Sequence, residues 1–556
     1  LTPTGPWRMD ADAPGAPLPR RPAAGRAPFR RSAPLTRKAL LIGIAAVLVL
    51  ASLSGLAIHF FSNQKTGTTP GGQPARTVLL GASGITGQSL QLPRSGTVTI
   101  SSLSALNGTP PRAESSSSSR IDQADAHVTH LSGLPPVAPT IPGFVGNGAP
   151  GANQQVAVPR LVLAGASQSD VGVKAPMDSS IGANGQYAVE ALDSLVHIAS
   201  VTGVPNATRS VDAADVFSSI LHTGDVLGAP RVLFDAASGR WLVVYDELAV
   251  QGGAVNASYL DLAVSQSSSP LAGWSVYQLE TALPAYGGCT WGDYPQIGYD
   301  AASYYLTASL FACGARGSFL ATVAWEAPKA ALDAGTVATV YRWTGFMNDN
   351  HRPVFALAPA VESGATTTEW LVSDDAGYVD GGGTSSSLYV WAIVHQPPAA
   401  NGTRTIAVAR KSISLPHAYA DPPAAAQRGA SVLLATGDVR VSSLIYTGEH
   451  LYTAFTTAVN WQGDSQTRSG VYWLDLGPTV HASGSATQLP TVTVGVIQSE
   501  LWGFAGGYTM YPALVADSQG NVVLAASAAS TSLDASLILG SRKKSDPTGV
   551  LEQGHA

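Results

Sequence analysis

Cysteine and charge are scarce in this sequence of 556 residues, and basic residues do not outnumber acidic ones. Only 12% of the residues are charged and the formal net charge is -6, so the chain offers no broad basic surface for nucleic acid. Two cysteines exclude a disulfide-rich scaffold and a zinc site made of cysteine alone. The eleven histidines form no His-x-x-x-His pair, and no phosphate-binding Gly-Lys-Ser/Thr loop occurs. We therefore expect no nucleic-acid partner, no catalytic zinc and no P-loop chemistry.

Glycine, proline and small residues are abundant instead. The chain has 58 Gly and 37 Pro, and 45% of its residues are hydrophobic, with many alanines, serines, threonines and valines. This composition disfavours a charged helical bundle or coiled coil and favours many short strands. A single β-propeller can occupy most of a chain of this length.

Positive charge is concentrated at the N-terminus. Residues 1–38 contain eight basic and two acidic residues, a net of +6, so residues 39–556 carry -12 of the total of -6. Residues 39–61 are almost entirely apolar and match the roughly 20 residues that span a bilayer. The positive-inside rule then predicts a cytoplasmic tail, a signal-anchor transmembrane helix and an extracytoplasmic remainder, that is, a single-pass membrane protein. A buried core helix and a cleaved signal peptide, which would release a secreted form, are the alternatives.

The segment after the predicted membrane helix changes in character. Residues 62–157 are rich in serine, threonine, proline and glycine and predict a flexible, disordered stalk. Within it, residues 77–102 alternate well enough to form a hairpin or to add an edge strand to the following domain. We assign residues 158–545 to one extracellular domain and residues 546–556 to a disordered tail.

An internal repeat runs through this domain. Each copy is a strand of alternating apolar residues, a tight turn with Asp, Asn or Gly, and a second strand that ends in small residues, which indicates a β-hairpin. The copies are residues 181–191, 229–245, 294–309, 352–373, 441–457 and 511–527. Their uneven spacing around 60 residues, which suits four-stranded blades with variable loops, predicts an all-β protein, a β-propeller of about six blades, with five to seven compatible.

Three segments resemble the sialidase-like, Asp-box (BNR-repeat) β-propellers of bacterial extracellular proteins. They are Pro230–Val243, Leu262–Trp274 and Asp293–Asp300. The spacing Asp235-x-x-x-Gly239-x-Trp241 departs from the usual Asp-box. In sialidases three arginines hold a carboxylate. Arg231 and Arg352 stand at blade starts, but Pro159 precedes Arg160, where the family signature places the proline after the arginine. The resemblance therefore implies the fold rather than the activity, and blade-to-blade ion pairs are the alternative role of these arginines.

The two cysteines test both the hairpin and the compartment. If residues 300–302 form the turn of a hairpin, antiparallel partners sum to 602, which places Cys289 opposite Cys313. An extracytoplasmic domain supplies the oxidising environment that a bridge needs. We predict a disulfide between them, with two buried free thiols as the alternative.

Candidate ligand-binding residues lie in loops that precede blade strands. The aromatic side chains could stack on sugar rings or bind a peptide, and the arginines and Asp293 could orient the ligand. This set comprises Arg231, Trp291, Asp293, Tyr294, Arg352, Trp502 and Tyr508. The alternative is that Trp291 and Trp502 cover the core between blades. Asp349, Asp374 and Asp375 are weak candidate Ca²⁺ ligands, and solvated polar turns are the favoured explanation for them. No other cofactor is expected.

These observations predict a membrane-anchored cell-surface propeller that recognises a glycan or protein ligand without catalysis. The first alternative is an extracellular, sialidase-like glycoside hydrolase, for which Asp293 is the first catalytic candidate. The second alternative is a structural scaffold of the cell envelope. A pair of acids converging on the centre of the propeller would favour the enzyme, and an aromatic platform without such a pair would favour binding.

Overall fold

The computed structural model describes residues 77–106, 134–141, 165–166, 178–202, 208–251, 254–313, 317–379, 383–399, 401–483, 485, 487–548 and 551–555. The predicted cytoplasmic tail and membrane helix lie outside these residues. Among the described residues, no helix has the length and apolarity needed to cross a bilayer.

Within the described part of the chain the structure is all-β, with four separate sheets and one ten-stranded sheet. Sheet I contains β4 (Ser179–Ala183), β5 (Tyr187–Leu192), β6 (Leu195–Ser200) and β7 (Arg209–Asp212). Sheet II contains β3 (Gly96–Thr99), β8 (Val226–Asp235), β9 (Arg240–Gln251), β10 (Ala254–Ser265) and β11 (Gly273–Glu280). Sheet III contains β1 (Thr77–Gly81), β16 (Ala358–Pro359), β18 (Thr368–Ser373), β19 (Ser385–Gln396) and β20 (Arg404–Tyr419). Sheet IV contains β25 (Gly507–Ala516), β26 (Val522–Ser530), β27 (Leu533–Arg542) and β28 (Glu552–His555).

The ten-stranded sheet V completes the strands. It contains β2 (Thr86–Leu92), β12 (Thr290–Tyr299), β13 (Ser303–Ala312), β14 (Phe319–Pro328), β15 (Ala338–Thr344), β17 (Val361–Ser363), β21 (Ser443–Thr447), β22 (His450–Asn460), β23 (Thr467–His481) and β24 (Thr491–Trp502). Two short helices, α1 (Ala213–Val216) and α2 (Lys329–Asp333), and two 3₁₀ turns, Ile100–Ser102 and Pro284–Tyr286, lie between described strands.

The sheets have a propeller-like arrangement. Strands β8, β12, β16, β21 and β25 come from successive parts of the chain, yet residues in or next to all five line one cavity of about 140 Å³. Each of these strands is followed along the chain by antiparallel neighbours. The first strand of each successive meander therefore faces a common centre.

The blade count differs from the prediction of about six. Four blades are separate sheets, but β17 pairs in parallel with both β12 and β21. These few backbone hydrogen bonds join into one sheet the strands that the repeat pattern assigned to different blades. Alternation of apolar residues does not reveal such a link, because it reports the faces of a strand and not its edges.

The sequence repeat corresponds to hairpins whose turns are closed by one side chain. Asp235, Asp300 and Asp517 each accept backbone N–H groups two and three or four residues further on. Asn184 does the same in sheet I, at 2.9 and 2.8 Å. An Asx side chain that replaces a backbone acceptor stabilises a tight turn.

A second repeated feature is a bulge in the first strand of three meanders. Ala229, Tyr294 and Tyr511 each precede a proline and have φ angles of 44, 55 and 52°. The strand register shifts at each of these positions. Proline has no backbone N–H to donate, so the strand pairing is interrupted at this position. The resulting bulge changes the orientation of the neighbouring side chains.

Part of the predicted stalk forms three strands, β1, β2 and β3, so the prediction of disorder does not hold for these residues. Strand β1 pairs in parallel with β20, β2 pairs antiparallel with β15, and β3 pairs antiparallel with β11. This matches the edge-strand alternative rather than the hairpin. Each strand covers an edge whose free N–H and C=O groups would otherwise be open to pairing with another chain.

The predicted disulfide between Cys289 and Cys313 is confirmed, with Cα atoms 5.5 Å apart. Thr290 and Ala312 face each other across β12 and β13 and sum to 602 as predicted. Beside the turn the register differs by one residue, since Tyr299 pairs with Tyr304, and the bulge of β12 restores the predicted register at the cysteines.

Removing this bridge by Cys289→Ser with Cys313→Ser should lower the free energy of unfolding. The cysteines are separated by 24 residues, and a closed loop of that length predicts a loss of about 3 kcal/mol through unfolded-chain entropy. Denaturant melts of both forms under non-reducing conditions measure the difference. Equal midpoints for the two proteins would show that the bridge adds no stability.

Candidate active site

Four aspartates, Asp178, Asp193, Asp246 and Asp293, form an acid cluster beside the bulges of β8 and β12. Asp293 lies in the bulge of β12, and Asp246 pairs across the ladder with Gly228 at the bulge of β8. Asp193 occupies the turn between β5 and β6 and accepts backbone hydrogen bonds at Asp178 and Ala229. The bulges thus bring together side chains that come from sheets I, II and V.

Burial and mutual repulsion raise the pKa of three of these carboxyl groups, those of Asp193, Asp246 and Asp293. Burial, with the charge of Asp178, raises the pKa of Asp193 to about 7. Asp246 is fully buried and neither of its carboxylate oxygens has a hydrogen-bond partner. Burial, followed by the charges of Asp293 and Asp193, raises the pKa of Asp246 well above its usual range. Carboxyl groups in this state donate protons near neutral pH.

Asp293 has a different balance of interactions. Its Oδ1 accepts the backbone N–H of Tyr294 at 2.6 Å, and only 6% of the residue is exposed. Burial raises the pKa of Asp293 to about 6, while the Tyr294 N–H and the charges of Arg440 and Arg231 limit the rise. At neutral pH Asp293 is therefore mostly ionised, whereas Asp193 is still protonated in part of the molecules. Acid–base catalysis requires such a difference between two carboxyl groups.

Two arginines face the ring of Tyr294. The guanidinium carbons of Arg231 and Arg440 lie 4.8 and 4.2 Å from the ring centroid. Arg440 Nε also donates to both carboxylate oxygens of Asp438, at 2.6 and 2.8 Å. Although burial favours the neutral form, the charge of Asp438 raises the pKa of Arg440 above its usual value. The positive charges therefore stay fixed beside the acid cluster and can hold an anionic or strongly polar group.

Arg231, whose charge acts on Asp293, connects the acid cluster to the central cavity, and a series of aromatic rings lies near Asp293. Arg231 lines the cavity. Trp291, two residues before Asp293, stacks on Phe311 with centroids 4.8 Å apart, and Phe311 contacts Phe319 at 5.7 Å. These three rings are only partly buried, so they form an aromatic surface next to the acids. Cys289 and Cys313 join the ends of β12 and β13 that carry Trp291 and Phe311.

The structure brings together four of the predicted ligand-binding residues and separates the other three. Arg231, Trp291, Asp293 and Tyr294 belong to this region. Trp502 is fully buried in the core rather than exposed in a loop. Tyr508 is also buried, and its hydroxyl accepts Arg468 Nη1 at 2.8 Å. Arg352 is exposed and lies over the ring of Tyr378, at 5.4 Å.

The predicted Ca²⁺ ligands do not share one site. Asp349 is bound by Arg410 Nη2 and Ser412 Oγ, each at 2.6 Å. Asp375 accepts Ser385, Tyr389 and Asn348. Asp374 is buried and caps the N–H of Ala376 at 2.8 Å. Because protein donors occupy Asp349 and Asp375, their contacts fit structural roles.

Sequence reasoning missed Asp193, Asp246 and Arg440. Asp246 carried a signal, since it follows the apolar run Trp241–Tyr245 within a strand, where an acid needs a special reason to be buried. Asp193 and Arg440 lie in turns or loops that resemble ordinary polar connections. Only the folded chain places them beside Asp293.

Comparisons with known proteins assign no family to this chain. No protein-family model matches it, and no curated protein is similar to it in sequence. An α-L-arabinofuranosidase from Podospora anserina in complex with cellotriose is 12% identical, with 54% of this chain and 90% of that chain covered and a TM-score of 0.26. A GH43 endo-arabinanase from Bacillus licheniformis is 13% identical, with 56% and 92% covered and a TM-score of 0.22. The extracellular domains 1–2 of Drosophila semaphorin 1b are 8% identical, with 68% and 77% covered and a TM-score of 0.29. At these TM-scores the likeness transfers no activity and no residue role.

Proposed function

We propose that this chain is a glycoside hydrolase and that its acid cluster is the catalytic site. The observation that carries the proposal is the convergence of Asp193, Asp246 and Asp293 beside Arg440 and Arg231, and Arg231 lines the cavity that the first strands enclose. Hydrolysis of a glycosidic bond needs one carboxylic acid that donates a proton and one carboxylate that acts as base or nucleophile. This proposal replaces non-catalytic recognition, the main hypothesis from the sequence.

The two roles follow from the environment of each carboxyl group. Asp193 is partly exposed, and burial raises its pKa to about 7, so it donates the proton to the departing oxygen. Asp293, with a pKa of about 6, serves as the ionised partner. Asp246 is fully buried, and its raised pKa keeps it protonated and neutral. It therefore adds no negative charge that would raise the pKa of Asp193 or Asp293 further, and we assign it a supporting role.

The surroundings of the acids suit a carbohydrate. The partly exposed rings of Trp291, Phe311 and Phe319 offer apolar faces for sugar rings. Arg231 and Arg440 can hold hydroxyl or carboxylate groups of the substrate. The Cys289–Cys313 bridge supports activity in an oxidising compartment outside the cytoplasm, in agreement with the predicted signal anchor.

The hydrolase proposal predicts a narrow pH optimum between about 6 and 7. As the pH falls below 6, Asp293 takes up a proton and stops acting as the base. As the pH rises above 7, Asp193 loses the proton that it must donate. The test is to incubate the full chain, in a mild detergent, with a panel of polysaccharides and aryl glycosides and to measure released sugar from pH 4 to 9. Absence of release across the panel and the pH range would contradict the proposal.

Non-catalytic binding of a glycan or a protein remains the second candidate. The aromatic surface and the arginines would support it without any bond cleavage, and it predicts retention on an immobilised glycan with no released sugar. Measuring retained protein and released sugar in the same experiment separates the two functions.

A further inference from the structure

A second group of ionisable side chains lies in sheet II, on a face of β9 that does not belong to the acid cluster. His222, Asp225 and Glu247 each place one ligand atom so that all of these atoms lie within 4.8 Å of one another. Among the described residues, no other group of three histidines, cysteines or acids does this. Glu247 directly follows Asp246, and successive residues of a strand point to opposite faces.

The geometry of this group is built around a buried carboxylate. Glu247 is fully buried, and its Oε1 lies 2.7 Å from His222 Nδ1. Asp225 Oδ2 lies 3.9 Å from the same nitrogen. The side chain of His222 is 52% exposed, whereas that of Asp225 is 12% exposed. The group therefore combines one imidazole and two carboxylates with an open path to solvent on the histidine side.

An independent observation points to a missing positive charge. Asp261 on β10 is fully buried, and its Oδ2 accepts no hydrogen bond from a donor group among the described residues. Gln278 Nε2 donates to Asp261 Oδ1 at 3.0 Å and to Glu247 Oε2 at 2.7 Å, so the two carboxyl groups lie side by side. Asp225, Glu247 and Asp261 therefore lie close together. In the ion pairs between described residues, His222 is the only basic side chain that contacts these acids.

We propose that His222, Asp225 and Glu247 bind a Zn²⁺ ion, with Asp261 as the buried carboxylate that supports the site. Imidazole nitrogen together with carboxylate oxygen suits Zn²⁺, whereas Ca²⁺ and Mg²⁺ prefer oxygen alone. Ligands at about 2.0 Å in tetrahedral geometry lie roughly 3.3 Å apart, so small movements of His222 and Asp225 complete the site. This proposal is independent of the hydrolase function.

The ion would link the segment that precedes β8 to strands β9 and β10 of sheet II. His222 and Asp225 precede β8, while Glu247 and Asp261 lie on β9 and β10.

The test is calorimetric titration of the metal-free full chain with Zn²⁺, in detergent, for the wild type, His222→Ala and Asp225→Asn. We expect one ion bound by the wild type at this site, and an affinity at least about tenfold lower in both variants. His222 is largely exposed, so its replacement should leave the fold intact, which circular dichroism checks. If either variant fails to fold, the other decides the result.

His450 provides a matched control on the same protein. Its Nδ1 lies 2.7 Å from Asp475, and Gln498 donates to the other oxygen of Asp475, so the pair repeats the His–carboxylate–Gln pattern without a third ligand. His450→Ala should bind Zn²⁺ as the wild type does. Unchanged Zn²⁺ affinity in a folded His222→Ala or Asp225→Asn protein, or no binding by the wild type, would overturn the proposal.

Discussion

Replacing Asp193 with asparagine is expected to lower kcat/KM for polysaccharide hydrolysis by about a hundredfold to ten-thousandfold, the usual contribution of a general acid. The amide has the shape of the carboxyl group but no proton to give at neutral pH. The hydrogen bonds at Asp178 and Ala229 stay available to its oxygen. Initial rates on the best substrate of the panel measure the effect. The loss should fall mainly on kcat, because proton donation acts in the transition state.

The leaving group distinguishes lost proton donation from a damaged site. The dinitrophenolate group of a dinitrophenyl glycoside leaves without being protonated, so Asp193→Asn should retain most of its activity on that substrate. Asp293→Asn should be slow on both the dinitrophenyl glycoside and the polysaccharide. Asp534→Asn is the matched control, since Asp534 is exposed and pairs with Arg428 at the surface. Equal losses on the two substrates in Asp193→Asn would contradict the role of Asp193 as general acid.

The variant Lys329→Met should lower the free energy of unfolding by about 3 to 5 kcal/mol, the usual cost of leaving one partner of a buried ion pair alone. Lys329 Nζ lies 2.6 Å from Asp235 Oδ2, and the two side chains are 8% and 0% exposed. Burial raises the pKa of Asp235, but the hydrogen bonds from Lys329 and Ser238 and the lysine charge bring it below its usual value. Lys329 also lies 4.2 Å from the ring centroid of Tyr299. Denaturant melts measure the change.

A double variant separates the unpaired charge from lost packing. Asparagine at position 235 can still accept the turn N–H groups of Ala237 and Ser238, so Lys329→Met with Asp235→Asn should recover part of the loss. The exposed pair of Arg428 and Asp534 is the control, and Arg428→Ala should change stability by about 1 kcal/mol or less. A cost as small as that of Arg428→Ala would show that the buried pair is unimportant.

Lys329 and Asp235 also illustrate why part of the fold escapes sequence reasoning. Asp235 stands in a recognisable turn, and its role there follows from short-range hydrogen bonds. Its partner is 94 residues away, at the start of α2. A lysine after a strand gives no sign that it is buried, because long-range packing decides its exposure.

The N-terminal segment shows the same limit for strands. The alternation in residues 77–102 allowed an edge strand, but it did not indicate that residues 86–92 pair with β15 along seven consecutive positions. An edge strand with one solvated face does not need an apolar pattern, since its stability comes from a neighbour distant in the sequence.

The sequence by itself determined the features that depend on near neighbours. Alternating residues and turn aspartates specify the hairpins, and a hairpin register places Cys289 opposite Cys313. Tertiary structure alone decided the candidate site, because Asp193, Asp246 and Asp293 belong to different sheets and meet only where the bulged strands converge. It also joined the ten strands of sheet V through β17. The physical reason is that local hydrogen bonds fix each hairpin, whereas the meeting of separate hairpins depends on packing between residues far apart in the chain.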